Sequence, residues 1–480
     1  MTKKRTPKES FDLDRVLYRF NGKEDFTIRQ ACEGVQIFGG VGTGKTSGSG
    51  AALATSYLQA GFGGLVLCAK QTEADQWREY ARRTNREKDL IFFDVSGGYC
   101  FPFLQYEVDR EGAGAGFTEN IVRVFTAVYD AIHRTDSSQT RDQYWVRAMQ
   151  QLLRNAVDLI LFSGESLAIP LIIDVIVDAP YSEEDRDSQR WRDRSRCWDL
   201  LSKGNIRDLD EWDQCDFDAT VIYWMEEFPK LAPRTRSGVV STLTTMLDGF
   251  MRRPFRMLFS EVPDNPSAIL KPEVTHQGKI IVMDLSVKEF GETGRAAQII
   301  YKYLWQQAAE RRDISKNDRA VFLWADEAQY FATDFDMEFQ TTARSSRACT
   351  VYITQNLPNY YAQMGRGNHY FVDSLVNNLQ TKIWHANSDP LTNKNASEII
   401  GQSWQKVSST SYAMGPSLDR QPLHQTVMDT FQYDVDHKVF TRLKKGGPLN
   451  DCEVEAVIFQ NGRVWSNGES YLFTTFKQSS

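Results

Sequence analysis

The chain has 480 residues, of which 41% are hydrophobic and 25% charged, which gives two or three packed domains and excludes a disordered or fibrous protein. A formal net charge of -7 excludes a protein that coats nucleic acid over its whole surface, while leaving room for a local basic channel. Seven scattered cysteines with no C-x-x-C pair exclude a disulfide framework or a zinc site of that type and favour reduced thiols in a cytosol.

Residues 1–20 read as a solvated, basic tail with no apolar segment of the kind a signal peptide needs. Residues 34–38, 64–68 and 90–93 are short apolar runs without polar alternation, as strands buried on both faces are. Between the first two lies Gly39-Gly40-Val41-Gly42-Thr43-Gly44-Lys45-Thr46, followed by Ser47 and a stretch of small residues to Gln59. It fits G-x-x-x-x-G-K-S/T in the strand–loop–helix setting that this pattern requires. A glycine-rich loop turns its backbone N–H groups, and the positive end of the next helix, toward phosphate oxygens. Lys45 would neutralise the terminal phosphates of ATP and Thr46 would hold Mg²⁺. Residues 71–83 carry charge on one face only and predict a covering helix.

Near Pro102 the pattern changes from strands to helical periodicity. Ile121, Val124, Phe125, Val128 and Ile132 share one face, as do Trp145, Met149, Leu152, Ala156 and Leu159, and then Val240, Leu243, Leu247 and Phe250. The expectation is an inserted all-α domain over residues 106–254, flanked by an α/β nucleotide-binding domain over 21–105 and 255–480 with a mainly parallel sheet. Residues 156–179 are the most apolar stretch, but Asp158, Glu165, Pro170 and Asp174 rule out a membrane span and leave two short buried helices. Residues 182–199 hold six acids, five arginines, Trp191 and Trp198; they read as a solvated loop or exposed helix, or as a tip that contacts a partner or nucleic acid.

Strand character returns at 278–284, 320–325, 350–354 and 382–385, with a helix over 293–311. The run Val321-Phe322-Leu323-Trp324-Ala325 leads directly into Asp326-Glu327. A rigid strand ending in an acid beside the phosphate loop is what positioning Mg²⁺ requires, so Asp326 is the metal candidate and Glu327 the general base for water. Gln355, at the end of the following strand, can touch the γ-phosphate or its water. Arg344 lies between them, either stabilising transition-state charge from a neighbouring subunit or neutralising local carboxylates. Residues 407–425, rich in Ser, Pro, Gly and Gln, read as a mobile loop, and 454–459 and 471–476 as two closing strands.

This order of phosphate loop, helical insertion, Asp326-Glu327, Arg344 and Ile353-Thr354-Gln355-Asn356 resembles the type IV coupling ATPases of conjugation and type IV secretion, within the FtsK/HerA class of P-loop translocases. Val282-Met283-Asp284-Leu285, the run from Asn377 to Ile383 and the segment from Asp389 through Leu391-Thr392 to Gly401 resemble the family as well. The resemblance implies a RecA-like motor, a homohexameric ring, and ATP hydrolysis that moves DNA or nucleoprotein. It further implies roles for Lys45 and Thr46 in binding nucleotide and metal, for Asp326 and Glu327 as the acidic pair, for Arg344 as a trans arginine and for Gln355 as sensor. The chain departs from the family in lacking N-terminal transmembrane helices, in reading Cys68-Ala69-Lys70-Gln71 where an Asp-Pro-Lys-Gly-like turn is usual, and in Phe101-Pro102 for Asn-Pro. The second reading is a soluble ATPase that recruits protein partners through its helical domain, with nucleotide controlling assembly. In both readings the protein acts in the cytoplasm or is brought to a membrane by a partner.

Overall fold

The computed structural model describes residues 11–133, 142–364, 369–414 and 420–478. In chain order the strands are β1 (Val16–Phe20), β2 (Glu24–Thr27), β3 (Val35–Phe38), β4 (Gly63–Leu67), β5 (Leu90–Phe93), β6 (Ile280–Met283), β7 (Val321–Ala325), β8 (Ala348–Thr354), β9 (Thr381–Trp384), β10 (Gln402–Met414), β11 (Arg420–Tyr433), β12 (Glu453–Gln460) and β13 (Tyr471–Lys477). Nine of them form one sheet in the order β13-β12-β9-β3-β8-β7-β4-β6-β5. The seven from β9 to β5 run parallel, and β12 and β13 close the other edge antiparallel. β3, β4, β6, β7, β8 and β9 are buried along their whole length, as strands covered on both faces must be.

The register aligns the strand ends. Phe38 lies beside Thr354 and Trp384, Tyr352 beside Ala325, and Ala325 beside Leu67. The loops after β3, β8, β7 and β4 therefore emerge together at one edge of the sheet, where open α/β sheets bind ligands. β4 can sit between β7 and β6 because it opens with two glycines. A Cβ on Gly63 would collide with the Thr275 carbonyl, and one on Gly64 would lie 2.5 Å from the Phe322 ring.

Between β5 and β6 every named element is helical, from Phe103–Asp109 onward. Ile121, Val124, Phe125, Met149, Leu152, Ala156, Leu159, Leu243, Leu247 and Phe250 are buried as their periodicity predicts. The side chains of Val128 and Ile132 lie outside the described residues. The apolar residues of this helical stretch are continuous with those on one face of the sheet, which include Phe38, Leu65 and Leu323. The other face packs on Ala51–Gln59 and Gln71–Arg83, where Trp77 stacks on Phe322 with ring centroids 5.3 Å apart. Residues 182–199 lie in helices at the surface, exposed or half-buried except for the buried Ser195 and Cys197. Trp191 donates its indole N–H to the Asp178 carbonyl at 2.8 Å and the Arg192 guanidinium lies over Trp198. No helix among the described residues is long and apolar enough to cross a membrane.

Two expectations need correction. Residues 16–20 are not a solvated tail: they form β1, which pairs with β2, and Phe11 before it is buried against Phe62. Residues 1–10 lie outside the described part. Of the stretch read as a mobile loop at 407–425, residues 407–414 and 420–425 belong to the long hairpin β10–β11, in which Gln402 pairs with Tyr433 and Met414 with Arg420, and 415–419 lie outside the described residues. Its Ser, Thr and Gln content concealed strand-forming β-branched and aromatic residues. The helix expected at 293–311 is present; Gly291, whose φ of +55° is non-helical, separates it from a short helical turn that begins at Val287.

Candidate functional site

The loop after β3 is fixed at its start by backbone bonds to the ends of the two flanking strands. Gly39 donates to the Thr354 carbonyl at 3.3 Å and Gly40 to the Ala386 carbonyl at 2.9 Å. Gly42 and Gly44 adopt φ of +68° and +79°, and a Cβ on Gly44 would meet Val454 at 2.5 Å, so that position tolerates no side chain. Thr43 closes the turn by donating its hydroxyl to the Gly40 carbonyl at 2.8 Å. Val41 at the tip is 80% exposed. The helix then begins at Thr46 with a widened turn, Thr46–Gly50, that continues into Ala51–Gln59. Its free N–H groups and dipole make the hollow of the loop an anion cradle. Ser47 accepts from the Gln478 side chain at 2.6 Å.

β7 delivers the acidic pair to the same place. Asp326 accepts the Thr46 hydroxyl at 2.7 Å, joining the phosphate loop to the end of β7 across the intervening β8. Burial pushes the Asp326 carboxyl up, against the Thr46 hydrogen bond and the nearby Lys45 charge. A threonine hydroxyl and one carboxylate are hard oxygen donors, and they suit Mg²⁺ held partly by phosphates and water. Among the described residues no cluster of three or more His, Cys, Asp or Glu could hold a metal by itself. Thr46 and Asp326 are therefore the residues that would hold Mg²⁺ with nucleotide.

Glu327 has φ +58°, an uncommon conformation for a non-glycine residue, and is buried. Its carboxylate accepts from Lys70 Nζ at 2.8 Å and Gln329 Nε2 at 2.9 Å, with Gln355 Nε2 at 3.4 and 3.5 Å from its two oxygens. Burial pushes the Glu327 carboxyl up, but the hydrogen bonds from Lys70 and Gln329, with the Lys70 and Lys45 charges, outweigh it and leave it below the ordinary value. Gln355 is held through its carbonyl by Asn387 at 2.8 Å, and Gln329 accepts from Thr354 at 2.8 Å. These groups line a cavity of about 240 Å³ that also includes Lys288, Tyr330 and Asn359.

Thus the loop 39–46, Asp326, Glu327 and Gln355 come together at one sheet edge. Arg344 does not join them. It precedes β8, at the end opposite Gln355, where its half-exposed side chain lies 3.4 Å from Glu33.

Four residues not assigned from sequence complete the site. Lys70 follows β4 and pairs with Glu327. Gln329 lies two positions beyond the acidic pair, a spacing that could have drawn notice. Glu73 is buried behind the Lys70 turn and accepts the Ala69 N–H at 2.7 Å; burial and then the Asp326 charge push its carboxyl up to about 8. His385, after β9, contacts Ser49 of the loop's helix at 2.7 Å through Nε2 and the Glu455 carbonyl at 3.0 Å through Nδ1. Burial lowers its pKa to about 4, so the ring is neutral near pH 7. A carbonyl only accepts, which places the proton on Nδ1 and makes Ser49 the donor to Nε2. Nothing in the local sequence announces either contact.

Neither a protein-family model nor a curated protein sequence matches the chain. Solved structures do. The bacterial conjugative coupling protein TrwBdeltaN70, in its unbound monoclinic form, superposes with a TM-score of 0.62 at 11% identity, covering 98% of this chain and 90% of that one. TrwB in complex with ADP and Mg²⁺ gives 0.59 at 12% identity, with 97% and 89% covered. VirB4 of Thermoanaerobacter pseudethanolicus gives 0.50 at 11% identity, with 98% and 97% covered. The chain shares the fold of these structures over nearly its full length.

Proposed function

We propose that the chain is an Mg²⁺-dependent ATPase of the coupling-protein type, which assembles as a homohexameric ring in the cytoplasm and moves or recruits DNA or nucleoprotein. The observation that carries the ATPase reading is the 2.7 Å contact between Thr46 and Asp326, with Glu327 next in the chain. In this reading residues 39–47 cradle the phosphates, Lys45 neutralises charge that builds during transfer, and Thr46 and Asp326 would hold Mg²⁺, which when bound would supply Lewis-acid stabilisation. Glu327 takes a proton from the attacking water. Gln355 touches Glu327 and, through Asn387, the end of β9, so it can pass the state of the site along the sheet. DNA enters the proposal from the fold shared with a conjugative coupling protein, and the hexamer from the family resemblance.

A second reading, recruitment of protein partners through the helical insertion at 106–254, is favoured by the net charge of -7 and by the exposed acidic and basic short helices at 182–199. ATP turnover of the purified protein, alone and with single- or double-stranded DNA at rising salt, separates the two. Lys45→Ala should lose nucleotide binding. Glu327→Gln should keep it and lose turnover by two to four orders of magnitude, about the contribution of a general base. Stimulation by DNA that weakens steeply with salt supports the DNA motor. Turnover indifferent to DNA moves the weight to protein recruitment.

A further inference from the structure

We infer that Lys70 is a positioning residue that latches the general base, holding Glu327 in a resting conformation and setting the basal rate of hydrolysis. The inference rests on the ATPase reading and concerns how its site is restrained.

Both oxygens of Glu327 are already engaged. Oε1 accepts Lys70 Nζ at 2.8 Å and Oε2 accepts Gln329 at 2.9 Å, while Gln355 lies beyond 3.3 Å from each. A general base must present a free oxygen within hydrogen-bond reach of the water it activates. Lys70 is the one cation in hydrogen-bond contact with Glu327 among the described residues, and its removal opens the strongest-held acceptor position on Oε1 while the two amides still hold the carboxylate in place.

The turn that carries Lys70 is built to present it. Ala69 N–H is anchored on the buried Glu73 carboxylate at 2.7 Å, and the Ala69 carbonyl accepts Lys288 N–H at 3.3 Å. Glu73 N–H in turn donates to the Lys70 carbonyl at 3.2 Å. The backbone is thus fixed on both sides of Lys70, and only its side chain is free to move. The two partners of the pair differ in exposure: Glu327 is 6% exposed and Lys70 39%. Lys70 opens directly onto the solvent-accessible cavity of about 240 Å³, so it can swing out without unpacking the core, whereas Glu327 cannot.

The test compares wild type, Lys70→Met, Lys70→Arg and Lys70→Met/Glu327→Gln, measuring kcat and KM for ATP without activator and the affinity for a fluorescent ADP. Lys70→Met should raise kcat roughly fivefold, the scale of a half-exposed ion pair, with KM and ADP affinity unchanged. Lys70→Arg should restore the low rate and the double variant should be inert. A kcat for Lys70→Met at or below wild type, with ADP affinity retained, overturns the latch and leaves Glu327 as base. If Glu327→Gln alone keeps its turnover, the reading of Glu327 itself fails. Lys70→Gln, which keeps polarity at this half-exposed position, gives the same comparison should the methionine variant prove unstable.

Discussion

Asp336 shows how much one buried side chain can organise. It accepts hydrogen bonds from Lys302 Nζ, Gln306 at 2.7 Å and Tyr352 at 2.8 Å, and caps the helix Asp334–Thr342 through Thr333. Both members of the Lys302–Asp336 ion pair are fully buried. Burial pushes the Asp336 carboxyl up, but the Lys302 charge and hydrogen bonds outweigh it and hold it below the usual range. Lys302→Met leaves a buried carboxylate with neutral donors only, which costs about 3–5 kcal/mol. Urea unfolding should show that loss, and Lys302→Met/Asp336→Asn should recover part of it, because the second change removes the stranded charge. Residues of this kind are invisible in the sequence, since the partners are thirty-four positions apart and each looks like an ordinary helix residue. Lys45, Thr46 and Asp326 were legible for the opposite reason. The phosphate loop is contiguous, and a strand ending in an acid is a local pattern whose meaning follows from its order after the loop.

Strands buried on both faces announce themselves as apolar runs, which is why β3, β4 and β6 through β9 were readable, and the edge strand β5, though half-buried, is apolar as well. The hairpin β10–β11 was not, because its Ser, Gln and Pro content pointed to a loop and its apolar residues, such as Trp404 and Val407, are exposed and follow no period of two. What sequence does not show at this scale is how one element is tied to another. His385 binds the helix of the phosphate loop to the ends of β9 and β12 through Ser49 and the Glu455 carbonyl. Its folded pKa of about 4 lies below the unfolded value of about 6.5. Between these values the unfolded chain binds the extra proton, so stability rises with pH there and is lost as pH falls from about 6.5 toward 4. A difference of this size corresponds to about 3 kcal/mol. His385→Asn should be less stable at pH 7 but should flatten the fall between pH 6.5 and 4, as read from thermal unfolding of the two proteins across that range.

At the scale of the whole molecule, the sheet has a site at one edge and Arg344 at the other. Ala348 and Thr354 are the two ends of the seven-residue β8, six steps or about 20 Å apart at the usual rise per strand residue. Arg344 therefore faces away from the phosphate loop of its own chain, and its pairing with Glu33 is a half-exposed surface contact that holds it weakly. If it serves catalysis, it serves a neighbouring copy, and the acidic site of each protomer is incomplete until another protomer docks its opposite edge. Arg344→Ala should then bind nucleotide with wild-type affinity and lose turnover by roughly three orders of magnitude or more, the scale of a trans arginine. Lys45→Ala should lose both. Mixed together, the two inactive proteins should regain turnover, because a Lys45→Ala protomer still supplies Arg344 to an Arg344→Ala protomer with an intact loop. The recovery should rise with protein concentration as the assembly forms. Mixing that restores nothing in an assembly confirmed by light scattering would return Arg344 to its bond with Glu33 and leave the interface to be defined by other residues.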